Sequence, residues 1–380
     1  MARRLLRGEI HVGAHPSALS DALGQMYAPS SVYLTNYGHH AMAMALQIFK
    51  DLRPGCDEVI VPAYICPSVI QVVQACGLKP CSVDVQDDLN MCPTAMQSAI
   101  KPNTLAVIAA HMYGCPARIS DMEAICAQTG VFLIDDAAQV VGVRVDGRLL
   151  GTFGDAGVIS FAQSKTIVTG IRGSGGVLLI NRPALDAAAR LAWQALPLAS
   201  GRPGALLDFV WNYLWSAWTG HSGYYLGRLL SALGWQATQA DTATQISNLE
   251  AGIARAQLRR LAGLIEEKVS ISSRYDKGLR PFSFISLPQY KAGRFLARVM
   301  LLVPAGLNIH QLRQALASRG LQTRTGYAAY LSPGASAPKA QELAQRLIGV
   351  PCRAGMSQAE VDAICSQLGT TIAALLHGQS

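Results

Sequence analysis

The chain has 380 residues, 50% of them hydrophobic and 15% charged, which excludes an intrinsically disordered protein. Its formal net charge is +8, but the basic residues are scattered and form no Lys/Arg run, which argues against direct nucleic-acid binding. The length is sufficient for one large domain, a smaller one and a sizeable buried core.

Short apolar runs alternate with helix-like stretches from about residue 30 to residue 182. The predicted strands are Glu58–Pro62, Cys81–Val85, Leu105–His111, Val131–Asp135, Gly157–Phe161 and Gly176–Ile180, and the predicted helices between them include His39–Phe49, Pro67–Ala75 and Ile119–Thr129. Unbroken apolar strands separated by helices are typical of a parallel sheet covered on both faces, so we predict an α/β doubly wound fold. Functional residues are expected at the carboxyl ends of such strands.

Residues 186–240 contain all five Trp residues, and from residue 187 to residue 240 the only acid is Asp208. Trp211, Trp215 and Trp218 would share one helix face. Three interpretations of this insert remain open: helices of the core or of a dimer interface, a lid over a large and partly apolar acceptor, or a shallow contact with a membrane surface.

A charged amphipathic helix is predicted from Asn248 to Glu267, and mixed strand and helix patterns follow it. These patterns cover Phe295–Val303, Gln311–Ser318, Gln341–Leu347 and Gln358–Leu368. We therefore predict a large domain over residues 1–280 and a smaller α+β domain over residues 281–380.

The nine cysteines show neither a C-x-x-C pair nor the spacing of a metal site, so we predict reduced thiols and no bound metal. Met1–Arg7 has three Arg residues but no long apolar stretch behind it, and no run of 18 apolar residues occurs. We expect neither a secretory signal nor a membrane span, and hence a cytoplasmic protein.

The first candidate for chemistry is Asn36–His40, which directly precedes a helix rich in Ala and Met. A helix that begins at Gly38 exposes unpaired N–H groups, and its dipole favours an anion there. A simple turn before the helix is the alternative interpretation.

The second candidate is Ile134–Gln139, where Asp135 and Asp136 leave an apolar strand. A buried carboxylate needs a partner, and a pyridinium N–H would serve as one. A helix N-cap made by one of the two aspartates is equally compatible with the sequence.

The third candidate is Ser160–Thr166, which carries Lys165 at a strand end before a glycine-rich loop. Burial lowers the pKa of a lysine and makes its amine able to form a Schiff base. A solvated surface lysine is the alternative.

The ordered set of motifs resembles the DegT/DnrJ/StrS sugar aminotransferases, a branch of the aspartate aminotransferase-like fold that binds pyridoxal 5'-phosphate (PLP). The similar segments are Gly38–Met42, Asp57–Tyr64, His111–Gly114, Asp135–Gln139, Gly151–Gly157, Ser160–Phe161, Lys165–Ile167, Glu250–Leu258, Ala344–Leu347 and Val350–Pro351. The resemblance extends nearly from end to end. It implies a large PLP-binding domain with a mostly parallel, seven-stranded sheet, followed by the smaller domain.

The resemblance also implies roles for the conspicuous side chains. Lys165 would form the Schiff base and move a proton between the substrate and cofactor carbon atoms. Asp136 would keep the pyridine nitrogen protonated, and Gln139 would contact the phenolic oxygen of the ring. Asp135 is then structural. A lysine stands where related dehydratases have a histidine, which favours amino transfer.

The phosphate would be held by the backbone N–H groups of Gly38 and His39 and by the hydroxyl of Ser160. Cys66 stands where the family usually has an aromatic residue over the ring. The predicted cofactor-binding residues are thus Gly38, His39, Cys66, Asp136, Gln139, Ser160 and Lys165. Gln245 replaces the arginine of a substrate-side stretch of the family, and Arg172 is an additional cation in the glycine-rich loop.

The predicted protein is a homodimeric aminotransferase with active sites at the subunit interface. It would move an amino group from an amino acid, glutamate by resemblance, to a keto-sugar or nucleotide-linked keto-sugar in polysaccharide or natural-product biosynthesis. A keto-cyclitol acceptor is one alternative, and a PLP-dependent dehydratase or lyase is another. The non-enzyme alternative is a degenerate protein that binds a partner or membrane through its Trp-rich face; the intact set around Lys165 argues against it.

Overall fold

The structure is a computed structural model that describes residues 13–162, 165–169, 175–199, 242–288, 298–353 and 355–377. The strands are β1 (Ser31–Thr35), β2 (Glu58–Pro62), β3 (Lys79–Val83), β4 (Thr104–Ala110), β5 (Phe132–Asp136), β6 (Arg144–Val145), β7 (Arg148–Leu149), β8 (Ala156–Ser160), β9 (Gly176–Ile180), β10 (Met300–Leu302), β11 (Arg324–Thr325) and β12 (Leu347–Gly349). The helices are α1 (His15–Tyr27), α2 (Gly38–Leu52), α3 (Pro67–Ala75), α4 (Pro93–Ala99), α5 (Ile119–Thr129), α6 (Asp186–Gln194), α7 (Asn248–Leu258), α8 (Leu261–Leu279), α9 (Ile309–Ser318), α10 (Pro338–Ala344) and α11 (Gln358–His377).

The large sheet has seven strands among the described residues, in the order β1-β9-β8-β5-β4-β2-β3. The pairs β2–β3, β2–β4, β4–β5 and β5–β8 are parallel, whereas β9 is antiparallel to both of its neighbours. Every residue of β4 is buried, as expected for a central strand with both faces covered. The predicted α/β fold with a mostly parallel sheet is confirmed.

The limits of the elements depart from the sequence prediction at several places. β3 begins two residues before the predicted Cys81, and β1 was not predicted at all. β1 is short, lies at the sheet edge and is only half-buried at its first two residues, so its apolar pattern is weak.

The single helix predicted over Asn248–Glu267 is wrong, because the chain breaks between Leu258 and Leu261 into α7 and α8. Ser247 begins α7 with a capping box shared with Glu250. α7 packs on the large-sheet core, whereas α8 continues to a second core. The first turn of α8 shares the core of α7 through Leu261, and its later turns reach the second core through Ile271 and Tyr275.

The second core lies around a three-stranded antiparallel sheet, β10-β12-β11. It includes Ile271 and Tyr275 of α8, Leu312 of α9 and Leu368 of α11. β10 contributes side chains to both cores, because side chains alternate along a strand. Met300 packs with the large-sheet cluster, and Leu301 packs with the second cluster. The division at residues 280 and 281 stays a prediction.

Much of the Trp-rich insert and the position of Arg172 lie outside the described residues. These include Asp208, Trp211, Trp215, Trp218 and Trp235. Trp193 is described on α6, where its Nε1 donates to the backbone oxygen of Leu34 at 2.8 Å. This tryptophan therefore packs against the edge strand β1.

All nine cysteines fall in the described ranges, and each is a free thiol. None of the helices in those ranges is both long and apolar enough to cross a membrane. In the same ranges no three His, Cys, Asp or Glu side chains cluster as a metal site would require.

Candidate active site

A cavity of about 220 Å³ lies where the carboxyl ends of β2, β4, β5 and β8 approach the amino terminus of α2. This is the edge at which open α/β sheets bind ligands. The structure brings all seven predicted site residues to its lining: Gly38, His39, Cys66, Asp136, Gln139, Ser160 and Lys165. A second depression, of about 590 Å³, lies at α8 and the loop before α11, away from the strand ends and without a lysine.

Asp136 and Lys165 form the charged centre of the cavity. Asp136 ends β5, is 8% exposed and accepts a hydrogen bond from the Ala138 N–H at 3.1 Å. Burial raises the pKa of Asp136, and the charge of Lys165 opposes that rise. Burial likewise lowers the pKa of Lys165, against the charge of Asp136. The lysine is thereby shifted towards the neutral amine, which is its nucleophilic and basic form.

Asp135 is the neighbour of Asp136 but points away from the cavity, since side chains alternate along a strand. It is fully buried, and one of its oxygens accepts from the Gly151 N–H at 2.5 Å and the Phe153 N–H at 3.2 Å. Its other oxygen lies 2.7 Å from Nε2 of His111. Because Nδ1 of His111 accepts from the Ala117 N–H at 2.9 Å, Nε2 carries the proton and donates to Asp135. The contacts of Asp135 are those of a structural residue.

Asp135→Asn is expected to destabilise the fold by at least about 1–3 kcal/mol, because an amide would point a donor at groups that already donate. Chemical unfolding followed by circular dichroism measures this loss. Asp136→Asn is the matched comparison, since the asparagine oxygen still accepts from Ala138. If the two variants had the same free energy of unfolding, the conclusion that Asp135 is the structural residue of the pair would be contradicted.

The amino terminus of α2 approaches Ser160 closely. The N-cap residue Tyr37 makes no side-chain capping hydrogen bond among the described residues. A Cβ atom at Gly38 would lie 2.8 Å from Cβ of Ser160, so only glycine fits there without a shift. A Cβ atom at Gly176 would likewise lie 2.4 Å from the Gly38 nitrogen. This packing leaves a compact cradle of backbone N–H groups and one hydroxyl, which suits a phosphate.

Gly38→Ala is expected to weaken PLP binding by about 10-fold or more, because overpacking of this kind costs about 1–3 kcal/mol. The added methyl group pushes Ser160 out of the cradle. Titration of the protein with the cofactor measures the Kd. Gly24→Ala in α1 is the control, since its Cβ would meet nothing within 4 Å. Cofactor binding by Gly38→Ala at wild-type affinity would show that the cradle is not needed.

Gln139 is fixed by the turn that follows β4. Its Oε1 accepts from the Tyr113 N–H at 3.2 Å, while within the described part of the chain Nε2 has only a weak 4.0 Å contact with the sulfur of Met112. Tyr113 has a left-handed backbone conformation, with φ of 52°, that is uncommon for a tyrosine. The amide N–H groups of Gln139 are consequently available to a ligand oxygen in the cavity.

Two lining residues come from the carboxyl-terminal part of the chain and were missed by the sequence analysis: Arg298 and Tyr327. Arg298 is the only charged residue in the apolar run 295–303. A single charged residue in an apolar run is a signal by which Arg298 could have been recognised as a candidate site residue. The sequence does not show, however, that this run faces the large sheet.

A tyrosine cluster holds this part of the chain against the large sheet. The hydroxyl oxygens of Tyr64 and Tyr113 lie 2.8 Å apart, and the Tyr327 N–H donates to Tyr64 at 3.0 Å. The rings of Tyr113 and Tyr327 are stacked, with centroids 5.8 Å apart. Burial raises the pKa of Tyr64 to about 12, so its phenol keeps its proton. Cys66 lines the cavity beside this cluster, with its sulfur 3.1 Å from the Ser68 hydroxyl.

Gln245 is not part of the cavity. Its Nε2 donates to the backbone oxygens of Trp193 and Leu196, both at 3.4 Å, and its segment lies along the end of β1. The replacement of the family's arginine therefore leaves a side chain that serves local structure. Any cation for a substrate must come from another position.

The chain is similar to known aminotransferases in sequence and in fold. The sequence model of the DegT/DnrJ/EryC1/StrS aminotransferase family matches residues 2–369. A dTDP-4-dehydro-2,3,6-trideoxy-D-glucose 4-aminotransferase from Saccharopolyspora spinosa is 26% identical over 351 residues, which cover 89% of this chain and 84% of the relative.

Two solved structures show the similarity of fold. PseC of Helicobacter pylori, an aminotransferase involved in the biosynthesis of pseudoaminic acid, has a TM-score of 0.78 at 14% identity, covering 96% of this chain and 93% of its own. A 3-amino-5-hydroxybenzoic acid synthase has a TM-score of 0.77 at 20% identity, covering 98% of this chain and 95% of its own.

Proposed function

This chain belongs to the DegT/DnrJ/EryC1/StrS aminotransferase family, and we propose that it uses pyridoxal phosphate to move an amino group from an amino acid to a keto-sugar. Family membership bears out the resemblance found in the motifs. The observation that carries the proposal is the convergence of Lys165, Asp136 and the α2 cradle on one cavity.

The residues present fit pyridoxal phosphate in their chemistry. The cradle at Gly38 and Ser160 suits a phosphate, and it is tight enough that a single methyl group would disturb it. Asp136 is a buried carboxylate at the cavity and matches a protonated ring nitrogen. Lys165 supplies the amine that an aldehyde requires. Gln139 offers N–H donors to an oxygen on the ring.

When bound, the cofactor supplies an aldehyde for covalent capture of amines and a ring that withdraws electrons from the reacting carbon. Lys165 would hold the cofactor's aldehyde carbon through the neutral amine that burial favours, and its Nζ atom would accept and return the proton of the reacting carbon. Asp136 would keep the ring nitrogen protonated. The apolar walls formed by Met42, Ile65 and Val158 limit access of water.

Uptake of the cofactor tests the proposal directly. The purified protein should bind pyridoxal phosphate, turn yellow and yield a covalent adduct on Lys165 after borohydride reduction. Addition of L-glutamate alone should then convert the bound cofactor to its amino form and release 2-oxoglutarate. A protein that stays colourless and takes up no cofactor would overturn the proposal.

For the acceptor we propose a keto-sugar, either free or nucleotide-linked, in polysaccharide or natural-product biosynthesis. The Saccharopolyspora spinosa relative acts on a nucleotide-linked deoxy-sugar, which supports this class. A keto-cyclitol is the second candidate, because 3-amino-5-hydroxybenzoic acid synthase shares the fold and bears the name of a non-sugar product. Nucleotide-linked keto-sugars and free keto-cyclitols, each offered with glutamate, distinguish the two.

A dehydratase or lyase reaction is the alternative chemistry on this scaffold. Lys165 stands where related dehydratases have histidine, which favours transfer. Quantification of products decides: an amino product in equal amount to 2-oxoglutarate supports transfer, whereas ammonia or water release without net transfer contradicts it.

The proposal includes a homodimer, as the family resemblance implies. Light scattering of the PLP-loaded protein should give twice the mass of the 40.4 kDa chain. A mass of one chain at working concentration would contradict it.

A further inference from the structure

Arg298 enters the cavity from the carboxyl-terminal part of the chain, immediately before β10. Met300 and Leu302 of this strand pack with the large-sheet core, while Leu301 packs with the second core. Arg298 lies in a bend two residues before Met300. It lines the cavity together with Lys165 and Tyr327, so it lies on the side that faces the large sheet.

The neighbourhood of Arg298 is fixed by the tyrosine cluster. Tyr327 is held by its N–H bond to Tyr64, and a Cβ atom at Gly326 would lie 2.3 Å from that same hydroxyl oxygen. The carboxyl-terminal loop therefore packs closely against Tyr64 of the large-sheet core. The cation and the lysine line one cavity and can meet the same ligand.

A guanidinium keeps its positive charge at every physiological pH. Burial lowers the pKa of Lys165, and the charge of Arg298 lowers it further. Burial raises the pKa of the Tyr64 and Tyr327 phenols, and Arg298 opposes both rises. The guanidinium thus contributes electrostatically at the lysine and at the tyrosine cluster, in agreement with its place beside Lys165 and Tyr327 in the cavity lining.

We propose that Arg298 binds a carboxylate of the amino-acid donor. This inference rests on the proposed function, in which Lys165 and Asp136 are both committed to the cofactor. An amino-acid donor brings a carboxylate that must be neutralised, whereas a keto-sugar or keto-cyclitol ring carries none. A planar guanidinium binds carboxylates in a bidentate manner. Gln245 cannot take this role, because its amide is turned to backbone oxygens outside the cavity.

Calorimetric titration with glutarate tests the inference, since glutarate has the two carboxylates of glutamate but no amino group to react. It is titrated into the PLP-loaded protein and into the protein without cofactor. Arg298→Gln should weaken glutarate binding by about 10- to 100-fold. Arg298→Lys should recover part of the affinity, because it restores the charge but not the bidentate geometry. The Kd for pyridoxal phosphate should stay unchanged in both variants.

Arg324→Gln is the matched control, since Arg324 is an exposed arginine on β11 that does not line the cavity. It should bind glutarate like the wild type. The inference is overturned if wild-type protein binds no glutarate, if Arg298→Gln binds it with unchanged affinity, or if that variant loses cofactor and glutarate in equal proportion. Failure of the proposed function is a separate result, because it appears as absence of a borohydride-reducible adduct in the wild type.

Discussion

Lys165→Ala is expected to abolish the covalent adduct with pyridoxal phosphate and to lower amino transfer by at least about 10³-fold. The variant lacks the amine that captures the aldehyde and the base that moves the proton. Gly38, Ser160 and Asp136 remain, so the cofactor should still bind without a covalent bond. The variant protein should therefore contain cofactor that dialysis removes and borohydride does not fix.

Three measurements check this result: mass spectrometry after borohydride reduction, the absorbance spectrum during dialysis, and the rate of the glutamate half-reaction. Lys79→Ala is the control, because Lys79 forms an exposed ion pair with Asp57 at 2.6 Å on the surface. That variant should behave like the wild type. Retention of a reducible adduct by Lys165→Ala would assign the covalent bond to another lysine and contradict the site described above.

Asp136→Asn is expected to lower the rate of amino transfer by about 10²- to 10³-fold, because a neutral amide cannot hold the ring nitrogen protonated. The asparagine has the same size and keeps the acceptor for the Ala138 N–H, so the fold should persist. The pKa of Lys165 should also fall further, since the carboxylate that raises it has been removed. Adduct formation would then begin at a lower pH than in the wild type.

The glutamate half-reaction, measured by stopped-flow absorbance across a pH range, tests both expectations. Asp135→Asn separates the two aspartates, since that variant should lose stability while retaining the electronic contribution of Asp136. A wild-type rate for Asp136→Asn, at full cofactor occupancy, would exclude a role of this carboxylate at the ring.

The sequence alone was sufficient for the sheet class and for most of its strands. β2 and β9 have the predicted limits, because a strand that is buried on both faces of a sheet has a short and unbroken apolar run that can be recognised locally. The helices α3 and α5 also have the predicted limits. The family resemblance assigned the seven candidate site residues, and the structure brings them to one cavity because their segments follow strands whose ends meet at one edge of the sheet.

The family resemblance assigned different roles to the two aspartates, and the tertiary structure supplied the physical reason. From the residues alone, either could have been a helix cap or a ligand. Side chains alternate along β5, so Asp136 shares the face of Ile134 and reaches the cavity, whereas Asp135 meets His111 and the loop at Gly151. The sequence shows that neighbouring side chains of β5 point to opposite faces of the sheet. It does not show which of the two faces borders the cavity.

Tertiary structure alone also showed that two residues of the carboxyl-terminal part of the chain line the cavity. Arg298 and Tyr327 are remote in sequence from the cradle and the lysine, and they join them only because β10 and the loop after β11 pack against the large sheet. The course of α8 was likewise set by tertiary packing, since its first turn packs on the same core as α7 and its later turns pack on the second core. Apolar periodicity reports that a residue is buried, whereas its partners are set by long-range packing that no local pattern encodes.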